Sequence, residues 1–94
     1  MKDQLARVEA VFFGHVQGVG FRYTVRSLSA DFPDISGYVK NMPDGSVLVI
    51  AEGIAGSIDR FIAGINDGMV RYIRDVKVTR PPYSGEFRNF DVRF

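Results

Sequence analysis

One short segment joins a strand-forming run to a helix-forming run and carries residue types that bind anions. It reads Gly14-His15-Val16-Gln17-Gly18-Val19-Gly20-Phe21-Arg22. Glycine tolerates the positive φ of a tight curl, so the segment can turn successive backbone N–H groups inward. Curled amides at a helix start form an anion-binding nest, which the positive end of the helix dipole reinforces. Arg22 adds a forked cation at the rim, so the segment predicts a phosphate site.

Asn41 is the second candidate and lies at the end of a predicted strand. Its neutral amide both donates and accepts hydrogen bonds, so it can hold a water molecule but is a poor base. The glycine segment lacks the Lys-Ser/Thr pair of a nucleotide P-loop and the third glycine of a dinucleotide fingerprint. It also lacks a carboxylate that could hold magnesium. Hydrolysis there would depend on positioning and charge neutralisation, with the substrate's own phosphate as proton acceptor.

Each candidate residue also has a purely structural interpretation. The glycine segment can be a tight strand-to-helix connection, and Arg22 can be a solvated helix residue. Asn41 can be a residue that tolerates irregular backbone before the turn Pro43-Asp44-Gly45. His15 is the only histidine and has no orienting carboxylate in the segment. We therefore expect His15 at the surface or at the substrate rim rather than as a general base.

The composition removes several classes of chemistry. The chain has 94 residues, enough for one domain with one core, and no cysteine, which excludes disulfides, thiolate nucleophiles and cysteine-bound metals. A single histidine cannot form a multi-histidine metal centre. A net charge of +1 with scattered Lys and Arg predicts neither a nucleic-acid nor a membrane partner. The chain shows no signal-peptide or membrane-spanning pattern, so we expect a cytoplasmic monomer.

The spacing of hydrophobic residues predicts the strands and helices that position the candidate site residues. Alternating apolar residues predict strands, and apolar residues three or four positions apart predict helices. The predicted strands cover residues 7–13, 35–41, 47–51, 73–80 and 87–94. A first helix is predicted at about 21–31, and a second helix follows a loop at 53–56, is capped near Ser57 and stops at 66–68. We expect Phe87, Phe90 and Phe94 to serve core and edge packing.

This order of elements, β-α-β-β-α-β with one extra strand, predicts a single α+β domain over residues 1–94. Two split β-α-β units form a ferredoxin-like antiparallel sheet with both helices on one face. A short fifth strand near the C-terminus is added to that sheet. Right-handed crossovers make the first two strands parallel, so that they end at the same sheet edge. The glycine segment and Asn41 are therefore predicted to be spatial neighbours.

Four segments closely resemble the acylphosphatase family, and the resemblance extends over nearly the whole chain in the same order and spacing. They are the segment 14–22, Gly37-Tyr38-Val39-Lys40-Asn41, Pro43-Asp44-Gly45 and Ala51-Glu52-Gly53. The resemblance implies a small cytosolic enzyme that hydrolyses the carboxyl-phosphate bond of acyl phosphates without metal or cofactor. His15 and Lys40 depart mildly from the commonest family pattern, which bears on substrate preference.

The resemblance also implies a role for each site residue. Arg22 would bind the phosphate, and Asn41 would position the attacking water. The backbone amides that complete the phosphate cradle would be those of Val16, Gln17, Gly18, Val19, Gly20 and Phe21. The implied partners are an acyl phosphate as substrate and inorganic phosphate as product and competitive inhibitor.

Two other functions remain open at this point. RNA-recognition domains share the predicted topology, but they stack bases on aromatic residues of the central strands, and residues 46–51 contain no aromatic residue. A pocket without catalysis would give a phosphate-ligand-binding module, or a carbamoyl-phosphate-handling domain of a larger enzyme. The presence of both Arg22 and Asn41 argues against an inactive enzyme.

Overall fold

The computed structural model describes residues 4–94. The chain order of elements agrees with the predicted β-α-β-β-α-β pattern followed by a short fifth strand. The elements are β1 (Leu5–Gly14), α1 (Phe21–Ser29), β2 (Ser36–Asn41), β3 (Val47–Ile54), α2 (Ala55–Gly68), β4 (Ile73–Thr79) and β5 (Phe90–Arg93). The predicted ferredoxin-like α+β fold is confirmed.

The sheet has the strand order β4-β1-β3-β2-β5. β3 pairs antiparallel with both β1 and β2, so β1 and β2 run in the same direction, as the crossover rule predicts. β4 is antiparallel to β1, whereas β5 is parallel to β2. The sheet is therefore mixed, because β5 joins an otherwise antiparallel sheet in the parallel sense.

The hydrophobic core lies between the helices and one face of the sheet. On β1 the alternating residues Val8, Ala10 and Phe12 are fully buried. They pair in register with Ala51, Val49 and Val47 of β3, which are buried on the same face. Both helices supply the opposing layer with the predicted apolar stripes, in which the buried residues are Phe21, Val25, Ile58, Phe61 and Ile65. The alternating apolar residues of the strands thus pack against the apolar stripes of the helices, which repeat every 3.6 residues.

The start of α2 differs from the sequence prediction. β3 continues to Ile54 and α2 begins at the next residue, so the predicted loop at 53–56 is absent from the described structure. Ser57 is not the cap, because it lies within the first turn of the helix and is buried. Ile54 occupies the cap position and donates its backbone N–H to Asp34 Oδ2 at 2.9 Å.

The predicted loop at 53–56 is wrong because Gly53 serves a different purpose. A Cβ atom at this position would lie 2.8 Å from the backbone oxygen of Asp34. The glycine therefore serves a close approach between β3 and the connection that precedes β2, and not a turn at position 53. Glycine has both uses, and the sequence pattern does not distinguish them.

The first helix is also shorter than predicted, since α1 ends at Ser29. Residues 30–32 continue as tighter turns, in which the N–H groups of Ala30, Asp31 and Phe32 bond to carbonyls three residues back. Pro33 follows, and the residue before a proline disfavours the helical conformation. Within residues 4–94, neither helix has the length and apolar character that crossing a bilayer requires.

The outer face of the sheet, opposite the helices, carries a buried ionic cluster. Glu52 of β3 is only 1% exposed. Its carboxylate accepts hydrogen bonds from Arg7 Nη1 at 2.9 Å, from the N–H and hydroxyl of Ser84 at 2.8 Å each, and from the N–H of Gly85 at 2.9 Å. These bonds hold the chain segment that follows β4 and precedes β5 against the outer face of the sheet. We call this segment, residues 80–89, the outer connection.

The hydrogen bonds to Glu52 determine its ionisation. Burial alone would raise the pKa of the Glu52 carboxyl, but the bonds from Arg7, Ser84 and Gly85 together outweigh burial and lower that pKa below its usual value. Glu52 is therefore a carboxylate at neutral pH. Burial likewise would lower the pKa of Arg7, but its bonds to Glu52, Glu86 and Glu9 raise that pKa instead.

We expect the substitution Glu52→Gln to lower the free energy of unfolding by about 3 kcal/mol at neutral pH, because it removes one partner of a buried ion pair. Glu86→Gln is the matched control: Glu86 also contacts Arg7, at 2.8 Å, but its side chain is 56% exposed. The control should lose much less stability than Glu52→Gln, because exposed ion pairs contribute little. Urea denaturation of both variants measures the difference.

Acidification provides a further check on Glu52. A carboxyl whose folded-state pKa is lowered stabilises the fold above its unfolded pKa of about 4.3, and this stabilisation is lost as the pH falls through the folded pKa. The stability gap between wild type and Glu52→Gln should therefore narrow as the pH falls below about 4. A gap that stays constant from neutral to acid pH would contradict the ionic role of Glu52.

Candidate active site

A cavity of about 180 Å³ lies where the segment after β1 meets the end of β2. Its lining residues are Val16, Gly18, Gly20, Phe21, Arg22, Tyr23 and Asn41. Arg22 and Asn41 therefore line the same cavity, as the parallel arrangement of β1 and β2 predicts. Tyr23 lines it as well, with 63% of its side chain exposed, and sequence reasoning gave it no place in the site.

The glycines shape the segment before α1. Gly18 and Gly20 have φ values of +76° and +80°, in the left-handed region that side chains with a Cβ rarely adopt. A Cβ at either position would meet no atom within 4 Å, so the backbone conformation, and not lack of space, is what requires glycine. The buried residues Val16 and Phe21 anchor the two ends of this segment. The centroid of the Phe21 ring lies 5.2 Å from the centroid of the Phe12 ring.

The backbone N–H groups of residues 16–23 have no hydrogen-bond acceptor among the described residues 4–94. The first helical bond at this end is from Thr24 N–H to the Gly20 carbonyl, at 3.0 Å. The unpaired N–H groups lie at the positive end of the α1 dipole, where an anion would satisfy them. The segment thus has the donors of an anion site.

Two of the six predicted cradle residues do not line the cavity. Val19 packs against the hydrophobic core. The side chain of Gln17 turns toward the connection between β2 and β3, where its Nε2 donates to Met42 and Ser46 carbonyls. Any part that their backbone amides play in the site remains a prediction. The sequence pattern gave Gln17 no side-chain role, and a polar residue between two loop glycines offers no signal for one.

The guanidinium of Arg22 packs against an aromatic ring. Its Cζ lies 4.6 Å from the ring centroid of Phe94, a cation–π distance. Among residues 4–94, no carboxylate forms a salt bridge with Arg22. Phe94 is 85% exposed, so the prediction that it serves core or edge packing is wrong. Phe90, in contrast, does pack against the core, 5.4 Å from Phe61.

Asn41 ends β2 opposite Val47, on the face of the sheet that carries the helices. Its side-chain amide is half-buried and has no hydrogen bond to any residue in 4–94. Within residues 4–94, no side-chain nitrogen or oxygen atom is buried without a partner, so the amide of Asn41 is accessible to solvent. Its donor and acceptor are both available to a water molecule or a ligand.

His15 and Lys40, the two departures from the family pattern, lie outside the cavity lining. His15 is exposed and anchors the segment through its backbone, with its N–H 2.9 Å from the Tyr72 carbonyl oxygen. Lys40 pairs with Leu48 on the outer face of the sheet, away from the side chain of Asn41. Among residues 4–94, no three His, Asp or Glu side chains come together as a metal site.

The fold and the cavity define a class: a small ferredoxin-like α+β domain with a glycine-rich segment between β1 and α1, whose N–H groups at residues 16–23 have no acceptor within residues 4–94. The sequence then identifies the family, because the acylphosphatase family model matches residues 8–92. The chain belongs to the acylphosphatase family, and its enzyme class is that of the acylphosphatase hydrolases.

Individual relatives agree with this assignment. An acylphosphatase of Aeropyrum pernix is 36% identical, with 100% of this chain and 94% of the relative covered. An acylphosphatase of Rubrobacter xylanophilus is 38% identical, with 96% and 82% covered. The crystal structure of acylphosphatase from Bacillus subtilis matches with a TM-score of 0.85 and 30% identity, covering 97% of this chain and 100% of that one.

Proposed function

We propose that this protein hydrolyses the carboxyl-phosphate bond of acyl phosphates to a carboxylate and inorganic phosphate, by direct attack of water on phosphorus. The observation that supports the mechanism is one cavity of about 180 Å³ that both Arg22 and Asn41 line, beside a segment whose N–H groups at residues 16–23 have no acceptor within residues 4–94. The wall residues Val16 and Phe21 are buried, so charge interactions in the cavity are less screened than in water.

The phosphoryl group binds in the glycine segment. Backbone N–H groups and the Arg22 guanidinium donate to the non-bridging oxygens, and the planar guanidinium can bond two of them at once. As the P–O bond to the carboxyl group stretches, negative charge on the phosphoryl group is stabilised by donors that are already in place. Such preorganised donors contribute more to the transition state than to the ground state.

Asn41 orients the attacking water. Its side-chain oxygen accepts a hydrogen bond from the water, which directs a lone pair of the water oxygen at phosphorus, opposite the leaving carboxylate. A P–O bond to water forms while the P–O bond to the acyl group breaks, with the electron pair leaving on the carboxylate. The water proton passes to a phosphate oxygen, and the carboxylate is stable enough as an anion to leave without a general acid.

The proposal also specifies the cofactor requirement, the cellular location and the partners of the protein. It needs no cofactor and no metal, since amides and Arg22 supply the charge stabilisation. The family resemblance and the cysteine-free composition support a cytoplasmic monomer whose partners are a small acyl phosphate and inorganic phosphate.

The test is hydrolysis of a chromogenic aryl acyl phosphate with an excess of chelator. We expect turnover that the chelator does not change. Inorganic phosphate should inhibit competitively, raising the apparent KM without changing kcat, because it occupies the phosphoryl position. An inert protein that still binds inorganic phosphate would support a non-catalytic phosphate-binding module instead, and turnover that the chelator abolishes would overturn the metal-free mechanism.

A further inference from the structure

The side chain of Gln17 bridges the glycine segment and the connection that follows Asn41. Its Nε2 donates to the Met42 carbonyl at 2.8 Å and to the Ser46 carbonyl at 2.9 Å. Both partners are carbonyl oxygens, which only accept, so the amide nitrogen must face them and both of its hydrogens are used. Gln17 is half-buried, and its side chain does not line the cavity.

The connection that accepts these bonds, residues 42–46, is closed by hydrogen bonds of its own. The Met42 carbonyl accepts the Gly45 N–H at 3.1 Å, and the Ser46 carbonyl accepts the Met42 N–H at 2.9 Å. Asp44 Oδ1 accepts the Ser46 N–H at 2.9 Å and the Ser46 hydroxyl at 2.6 Å. These bonds from the Ser46 side chain and backbone lower the pKa of Asp44, so it closes the turn as a carboxylate. Residues 42–46 thus present two fixed carbonyls to Gln17.

The two ends of this bridge lie next to the two proposed parts of the site. Gln17 lies between Val16 and Gly18, which both line the cavity, while Met42 directly follows Asn41. Among residues 4–94, no other side chain from 15–20 is hydrogen-bonded to residues 41–46. Within residues 4–94, Gln17 therefore makes the only side-chain hydrogen bonds that join the phosphoryl-binding segment directly to the connection after Asn41.

We propose that Gln17 is a positioning residue that sets the distance and angle between the phosphoryl-binding segment and Asn41. This inference rests on the proposed roles of those two parts of the site. In-line attack requires the water and the phosphorus in one alignment, and a displacement of about 1 Å can lower a rate on the order of 10²-fold. Loss of the bridge should therefore reduce kcat and leave phosphate binding nearly intact.

The first variant is Gln17→Met, which keeps the length of the side chain and removes both donors. We expect kcat for the aryl acyl phosphate to fall roughly 10- to 100-fold, with the inhibition constant of inorganic phosphate changed less than about threefold. The matched control is Gln4→Met, the same substitution at the other glutamine, which is exposed and lies before β1 at the opposite end of that strand. The control should keep the wild-type kcat.

The second variant, Gln17→Glu, separates a hydrogen-bonding role from simple filling of space. At neutral pH its carboxylate would face two carbonyl oxygens and be repelled, whereas the protonated carboxyl can donate to one of them. The ratio of its kcat to that of the wild type should therefore rise as the pH falls toward 5, while the ratio for Gln17→Met stays constant. A merely space-filling role would give both variants the same flat ratio.

Wild type and Asn41→Ala measured in the same assay separate the two proposals. If wild type is inert, the proposed function fails, and if Asn41→Ala retains the wild-type rate, the water-positioning role of Asn41 fails; either result also removes the role of Gln17. If both behave as proposed but Gln17→Met keeps the wild-type kcat, the positioning role alone is overturned. Loss of phosphate inhibition in parallel with kcat in Gln17→Met would also overturn it, because the substitution would then have collapsed the cradle.

Discussion

Substitution of Arg22 by glutamine should lower kcat/KM for an aryl acyl phosphate by about 10²- to 10³-fold, the usual effect of removing one preorganised donor at a developing charge. Arg22 is the only charged residue in the cavity lining, and among residues 4–94 no carboxylate pairs with it. Its charge is therefore available to a bound phosphoryl group, as the proposed mechanism requires. Inhibition by inorganic phosphate should weaken as well, because the lost group binds phosphate in the ground state too.

The fold should survive this change. The described contact of the Arg22 guanidinium is with the exposed ring of Phe94, and an exposed cation–π contact contributes about 0.5–1 kcal/mol. Arg26→Gln is the matched control, since Arg26 is an exposed arginine one turn further along α1. The control should keep the wild-type kcat/KM, and a variant at position 22 that also keeps it would remove Arg22 from the mechanism.

Substitution of Asn41 by alanine should lower kcat by about 10²- to 10³-fold, with the inhibition constant of inorganic phosphate changed less than about threefold. Asn41 acts on the water rather than on the phosphoryl group, so its loss affects the reaction step and spares ground-state binding. This separation of kcat from phosphate binding is what distinguishes Asn41 from Arg22, whose loss affects both. Steady-state rates at several phosphate concentrations measure it.

Asn66→Ala is the control for Asn41, because Asn66 lies on α2 and outside the cavity lining. It should keep both the rate and the phosphate inhibition of the wild type. Equal losses of kcat and phosphate affinity in Asn41→Ala would instead place Asn41 in the phosphoryl-binding group, and the water-positioning role would be wrong.

The main features of the fold could be predicted from the sequence because they depend on local periodicity. Alternation along β1 and helical spacing in α1 and α2 identify the buried faces, and the handedness of crossovers fixes which strands run parallel. That topological rule brought Arg22 and Asn41 together without any contact information. The glycine segment was recognisable because a required positive φ leaves a residue signature.

Other features depend on contacts between distant segments, and local pattern carries no signal for them. Glu52 ends an apolar run, and its buried carboxylate is explained by Arg7 of β1 together with the outer connection at 80–89, both distant in sequence. The contact of Phe94 with Arg22 depends on the parallel pairing of β5 with β2. Likewise, the reach of Gln17 to Met42 and Ser46 needs the folded arrangement of two loops.

The outer connection has a consequence for how the activity is acquired during folding. Glu52 fastens residues 84–85 to the middle of the sheet, and the chain beyond them supplies β5 and then the ring that contacts Arg22. Arg22, which lines the cavity, therefore contacts the far end of the described chain. Pairing of segments that are distant in sequence is slow, because long loops must close first. We therefore expect turnover to recover with the slow phase of refolding and not before it.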